Sequence, residues 1–125
     1  MKLVYTGIEV RDMDRAIEFY TQALGMELLD RHRIPATKGE VAALKSKGSE
    51  QLLELNWYPR RRYRAGSELD HLAFDVGDRD VDAEIERLVT LGGTRARAAE
   101  VRPRYVVGFV KDPDGVWIEL FKERK

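Results

Sequence analysis

The 125-residue sequence predicts an α+β fold: two paired βαβββ modules forming a cupped, eight-stranded sheet with the helices outside. Three observations predict it. The opening strand-like run ending at Val10 recurs as a run ending at Val76, 66 residues later. Each copy passes into one stretch of helical period and then into three stretches that alternate as strands do. A lone half would leave one bare sheet face, so the two halves must cover one another to be stable.

Taken in order, "LVYTGIEV" (Leu3–Val10) and "LDHLAFDV" (Leu69–Val76) are the first strands of the two modules. Asp12 and Asp78, again 66 apart, are expected to cap the helices, because a short carboxylate accepts from the free N–H groups of a first turn. Met13, Ala16, Ile17, Tyr20 and Leu24 recur at steps of three and four, as do Val81, Ile85 and Leu88. Gly25 and the pair Gly92–Gly93 follow, where a left-handed residue ends a helix. "MELLDRHRI", "VAALKSKG" and "QLLELNW" are the remaining strands of the first module; "TRARAAEV", "YVVGFVKD" and "VWIELF" are those of the second. "DPDG" (Asp112–Gly115) is the turn between the last two. Module 1 covers about residues 1–58, a linker about 59–68 and module 2 about 69–125.

Composition narrows the function. Lys plus Arg (22) balance Asp plus Glu (22), so the chain has no net field to attract nucleic acid or an anionic membrane, and neither partner is expected. The local exception, "PRRRYR" (Pro59–Arg64), reads as a solvated connection or as a clamp for a small anion. There is no cysteine, no signal-like start and no apolar run of membrane-spanning length; the expected location is cytoplasmic.

Strand alternation assigns the polar intruders to a face. Tyr5 and Glu9 oppose the apolar set Val4, Ile8 and Val10, and His71 opposes Leu72, Phe74 and Val76. Glu54 shares a face with Leu52 and Asn56, and Glu119 with Trp117 and Phe121. Tyr5 to Glu54 spans 49 residues and His71 to Glu119 spans 48, so duplication sets tyrosine against histidine and glutamate against glutamate. A carboxylate on an otherwise apolar strand is costly unless it has a partner. The expected shared partner is one divalent transition metal per site (Ni, Co, Zn, Mn or Fe) on Glu54, His71 and Glu119. Glu119, and after it Glu54, is the expected proton-abstracting base; Tyr5, Leu52, Trp117 and Phe121 are the expected substrate-binding wall. A core histidine and two strand glutamates on a solvated face are the plainer reading of the same residues.

"YTGIEVRDMDRAIEFYTQALGM", "LLELNW", "DHLAFDV" and "FVKDPDGVWIELF" resemble the vicinal oxygen chelate superfamily, which includes glyoxalase I, extradiol dioxygenases and bleomycin-binding proteins. The layout is most similar to bacterial glyoxalase I. The resemblance implies a homodimer with a metal on the concave face and a small-molecule substrate, a 2-oxoaldehyde adduct or relative, isomerised by proton abstraction and enediolate stabilisation. The histidine, glutamate, histidine, glutamate pattern falls on Tyr5, Glu54, His71 and Glu119, with Tyr5 as the departure. A second departure is Glu9, where glutathione-dependent glyoxalases carry an arginine; Arg11 or the Arg60–Arg64 run is the expected compensation. The alternatives are a metal-free drug- or metabolite-binding protein with Tyr5 and Trp117 as stacking surfaces, and an extradiol-type dioxygenase.

Overall fold

A computed structural model describes residues 1–59, 62, 63, 66 and 68–125. The chain divides into two compact units, Met1–Arg64 and Ala65–Lys125. Arg60, Arg61 and Arg64 of the basic run lie outside the described residues.

Both units have the same α+β topology. The first contains β1 (Tyr5–Glu9), α1 (Met13–Glu18) running into a π-helical turn (Phe19–Ala23), β2 (Glu27–Ile34), β3 (Gly39–Lys45) and β4 (Leu52–Trp57). The second contains β5 (Leu72–Asp75), α2 (Val81–Thr90), β6 (Thr94–Val101), β7 (Tyr105–Lys111) and β8 (Trp117–Glu123). Two four-stranded sheets result, ordered β1-β4-β3-β2 and β5-β8-β7-β6. In each, the first strand lies parallel to the last and the other pairings are antiparallel. The parallel pairing follows from the helical crossover after the first strand; the antiparallel ones need only short turns.

Each helix covers one face of its own sheet. Met13, Ala16, Phe19, Tyr20 and Ala23 are buried with Ala42, Leu44, Leu53 and Leu55. In the second unit Val81, Ile85 and Leu88 are buried with Val110, Ile118 and Leu120. Each such side chain contributes roughly 1.5–3 kcal/mol by leaving water. Gly108 lets α2 sit close on β7, for a Cβ there would stand 2.8 Å from Ile85 Cδ1 and 2.9 Å from Val81 Cγ1. The "DPDG" turn is tied by Asp112, whose Oδ1 accepts from the backbone N–H groups of Asp114 and Val116, both at 2.8 Å. Gly115 supplies its positive φ of 92°.

Three sequence expectations are corrected. Asp12 caps α1 through its Oδ1, 3.0 Å from the Arg15 amide, but α2 is capped by Asp80 rather than Asp78. A turn closed by the Arg79 amide on the Val76 carbonyl takes up two extra residues after β5, so the 66-residue offset fails there. The α1 stripe also changes, because the π-helical turn inserts a residue into the period: the Leu24 amide bonds five residues back, to Phe19. Phe19 and Ala23 thereby turn inward, whereas Ile17 and Leu24 are only partly buried. Finally, β1 begins at Tyr5; Leu3 and Val4 precede it and are exposed, so Val4 does not pack beneath the helix.

Among the described residues no helix is long and apolar enough to cross a membrane.

Candidate functional site

Burial alternates along β8: Ile118 and Leu120 are buried against the helix, and Trp117, Glu119 and Phe121 are half-buried on the other face. Along β4, Leu53 and Leu55 are buried while Leu52, Glu54 and Asn56 lie on the opposite face. Register carries these faces across the neighbouring strands. Glu119 stands opposite Ala73 of β5 and Phe109 of β7. Glu54 stands opposite Gly7 of β1 and Ala43 of β3.

In the second unit His71 immediately precedes β5, two residues from Ala73, and so reaches Glu119 diagonally. His71 Nε2 lies 3.1 Å from Glu119 Oε2. The other ring nitrogen, Nδ1, lies 2.6 Å from Asp70 Oδ2. Engaging Nδ1 with a carboxylate fixes the ring and aims Nε2 at Glu119, the arrangement that orients imidazole as a metal ligand or proton carrier. Side-chain exposures of 34% at His71 and 20% at Glu119 leave the pair reachable yet partly shielded. The ring of Phe109 meets His71 edge-on at 5.9 Å and blocks one side.

Phe109 in turn meets Trp117 at 5.7 Å, and Phe121 lies against Tyr105 at 5.6 Å. The wall expected from Trp117 and Phe121 is thus part of an aromatic row shared with β7. Two cations border it: the Arg97 guanidinium lies 5.6 Å and the Lys111 ammonium 5.1 Å from the Trp117 ring centre. Contacts of this kind hold a cation over an aromatic face while its outer donors stay available.

In the first unit Tyr5, 48% exposed, opens β1 opposite Leu52. Tyr5, Gly7 and Glu9 consequently share a sheet face with Leu52, Glu54 and Asn56. The missing side chain at Gly7 leaves room beside Glu54; a Cβ there would meet Asn56 Nδ2 at 3.2 Å. Past the end of β1, Glu9, Val10, Arg11, Trp57, Tyr58 and Tyr63 line a cavity of about 300 Å³. The Arg11 guanidinium lies 4.8 Å above the Tyr63 ring.

The structure therefore brings His71 to Glu119 in one unit and sets Tyr5, Leu52 and Glu54 on one face of the other. Within the described residues of the chain, no three of His, Cys, Asp and Glu are grouped closely enough to hold a metal. Sequence reasoning missed Asp70, Phe109, Arg97 and Lys111. Asp70 was signalled by adjacency to His71. Phe109 and Lys111 were signalled by parity, since Tyr105, Val107, Phe109 and Lys111 alternate on the face of Glu119.

The whole chain has known relatives. It is 35% identical to the lactoylglutathione lyase of Escherichia coli O157:H7 over 99% of its own length and 94% of that protein. It is 33% identical to the probable lactoylglutathione lyase of Vibrio cholerae, covering 99% and 92%. Glyoxalase I from Zea mays superposes with a TM-score of 0.81 at 31% identity; 96% of this chain matches 44% of that one, so the chain spans less than half of the plant protein. The sequence profile of the Glyoxalase/Bleomycin resistance protein/Dioxygenase superfamily matches residues 2–120, and with strand order, helix placement and relatives in agreement, the chain belongs to that superfamily.

Proposed function

We propose that the protein is a metal-dependent, glyoxalase-type lyase that isomerises the adduct of a 2-oxoaldehyde with a small thiol. The observation that carries this reading is the His71–Glu119 pair at 3.1 Å with Asp70 behind the imidazole. Full-length similarity to lactoylglutathione lyases supports it.

The donors fit a divalent metal. His71 presents Nε2, its Nδ1 being engaged, and Glu119 presents Oε2 next to it; imidazole with carboxylate suits Ni, Co, Zn, Mn or Fe. Glu54 is the third ligand of the proposal, and Tyr5, a poor donor when neutral, leaves a fourth position to water or substrate. Such an ion would supply Lewis-acid polarisation of a carbonyl oxygen. Glu119, and after it Glu54, takes the proton from the carbon next to the carbonyl and returns it to the neighbouring carbon, so that the reaction is an isomerisation without net proton change. Leu52, Trp117 and Phe121, with Phe109, restrict water around the transferred proton. A homodimer in the cytoplasm belongs to the same reading and is supported by the superfamily resemblance.

The test is His71→Ala in metal-replete protein, assayed for bound metal and for turnover of methylglyoxal adducts with several thiols. Loss of both with an unchanged circular dichroism spectrum is expected. Full activity in that variant overturns the assignment. Should the wild-type protein bind aromatic ligands without chelator sensitivity, the aromatic row of Tyr105, Phe109, Trp117 and Phe121 would favour a binding protein instead.

A further inference from the structure

The cavity at the end of β1 is not used by the chemistry above, and its lining is specific. It sets one carboxylate, Glu9, and one guanidinium, Arg11, among the rings of Trp57, Tyr58 and Tyr63 in about 300 Å³. That volume suits a group the size of an amino acid. Opposite charges make it unsuited to a purely anionic group, which Glu9 opposes, and to a purely cationic one, which Arg11 opposes. Arg11 is laid over Tyr63, a pose in which a guanidinium keeps donors at its edge for a carboxylate. Aromatic faces beside a carboxylate are the surroundings in which ammonium groups are held.

Its position relates it to the proposed reacting centre. Glu9 lies on the face of β1 that carries Gly7, and Gly7 pairs with Glu54. At about 3.3 Å of rise per strand residue, Glu9 is some 7 Å further along the strand. A substrate reacting near Glu54 can extend its non-reacting end into this cavity.

We infer that the Glu9–Arg11 cavity is a head-group site for a zwitterionic α-amino-acid end of the thiol, with Glu9 receiving the ammonium and Arg11 the carboxylate. The inference rests on the proposed thiol-adduct reading for its substrate, but binding alone can test it. Glu9 becomes a specificity-determining residue: it rejects thiols that end in a lone carboxylate and accepts those that carry an ammonium beside it.

The experiment is isothermal titration of the wild-type protein, Glu9→Gln and Arg11→Gln with S-hexylglutathione, whose γ-glutamyl end is such a zwitterion, and with its α-N-acetyl analogue. The wild type should bind the analogue roughly tenfold more weakly, as loss of one charge-assisted contact implies. Glu9→Gln should lose about the same factor for the parent and nothing for the analogue; Arg11→Gln should weaken both. Equal wild-type affinity for parent and analogue, or tighter binding of the parent by Glu9→Gln, overturns the inference. The wild-type comparison decides even where a variant fails to fold. Discrimination between the two ligands without turnover of any 2-oxoaldehyde adduct would remove the proposed activity and keep the head-group site; turnover without discrimination would do the reverse.

Discussion

His71 Nε2 and Glu119 Oε2 stand 3.1 Å apart because the residue before β5 reaches diagonally to the strand paired in parallel beside it. Asp70 fixes the far side of the ring at 2.6 Å. Asp70→Ala should leave the fold intact and weaken metal binding. Partners behind a ligating histidine are worth about 10- to 100-fold, and Asp70, 94% exposed, belongs at the lower end, near tenfold. Zinc or nickel titration of the purified variant measures it, and unchanged affinity would show that the ring is oriented without Asp70.

Tyr5 shares the sheet face of Glu54. Replacing it by histidine supplies a better donor, so Tyr5→His should tighten metal binding if Tyr5 stands at a coordination position. The comparison is a competitive chelator titration of the two proteins. Equal affinities would place Tyr5 in the substrate wall and remove it from the ligand sphere.

At the helix end, Asp80 accepts from the Ala83 amide at 2.8 Å. Asp80→Ala should cost about 1 kcal/mol, the usual loss of an N-cap, whereas Asp78→Ala should stay within roughly 0.5 kcal/mol. Urea midpoints of the two variants separate the assignments, and a larger loss at Asp78 would reverse them.

Gly108→Ala should destabilise by roughly 1–3 kcal/mol, since its methyl group would be forced against Ile85 and Val81 between α2 and β7. Thermal melts check this. A neutral result would mean that α2 can shift outward without loss.

Stability should carry an acid limb from Glu84. Its hydrogen bond from Arg87, 2.7 Å, holds the carboxyl below its ordinary range against the opposing effect of burial, and Arg79 adds to the lowering. A depressed carboxyl stabilises the fold fully above its unfolded value near 4.5 and loses that contribution as pH falls through the lower folded value. The melting temperature of wild type minus that of Glu84→Gln should therefore be largest above about pH 5 and vanish in stronger acid. A difference independent of pH would assign the effect of Glu84 to packing.

Much of the architecture was legible because local rules dictated it. Val81, Ile85 and Leu88 recur at helical steps and are buried; Ile118 and Leu120 alternate with Trp117 and Glu119 and point the opposite way. Where reading failed, a non-local or sub-residue effect intervened. The turn after Val76 moved the cap by two residues, and the π-helical turn rotated the buried stripe onto Phe19 and Ala23. Neither leaves a periodic mark in a short segment.

The sequence by itself determined the duplicated βαβββ pattern and the face on which Glu54, Glu119 and Tyr5 sit, because alternation and helical period are properties of adjacent residues. Only the tertiary structure decided that His71 meets Glu119, that Asp70 holds its other nitrogen, that Phe109 closes one side and that Glu9 and Arg11 line one cavity. Those relations depend on strand register and rotamer across residues up to 54 positions apart, from Glu9 to Tyr63. Sequence spacing constrains such pairs only after the strands between them have chosen their partners.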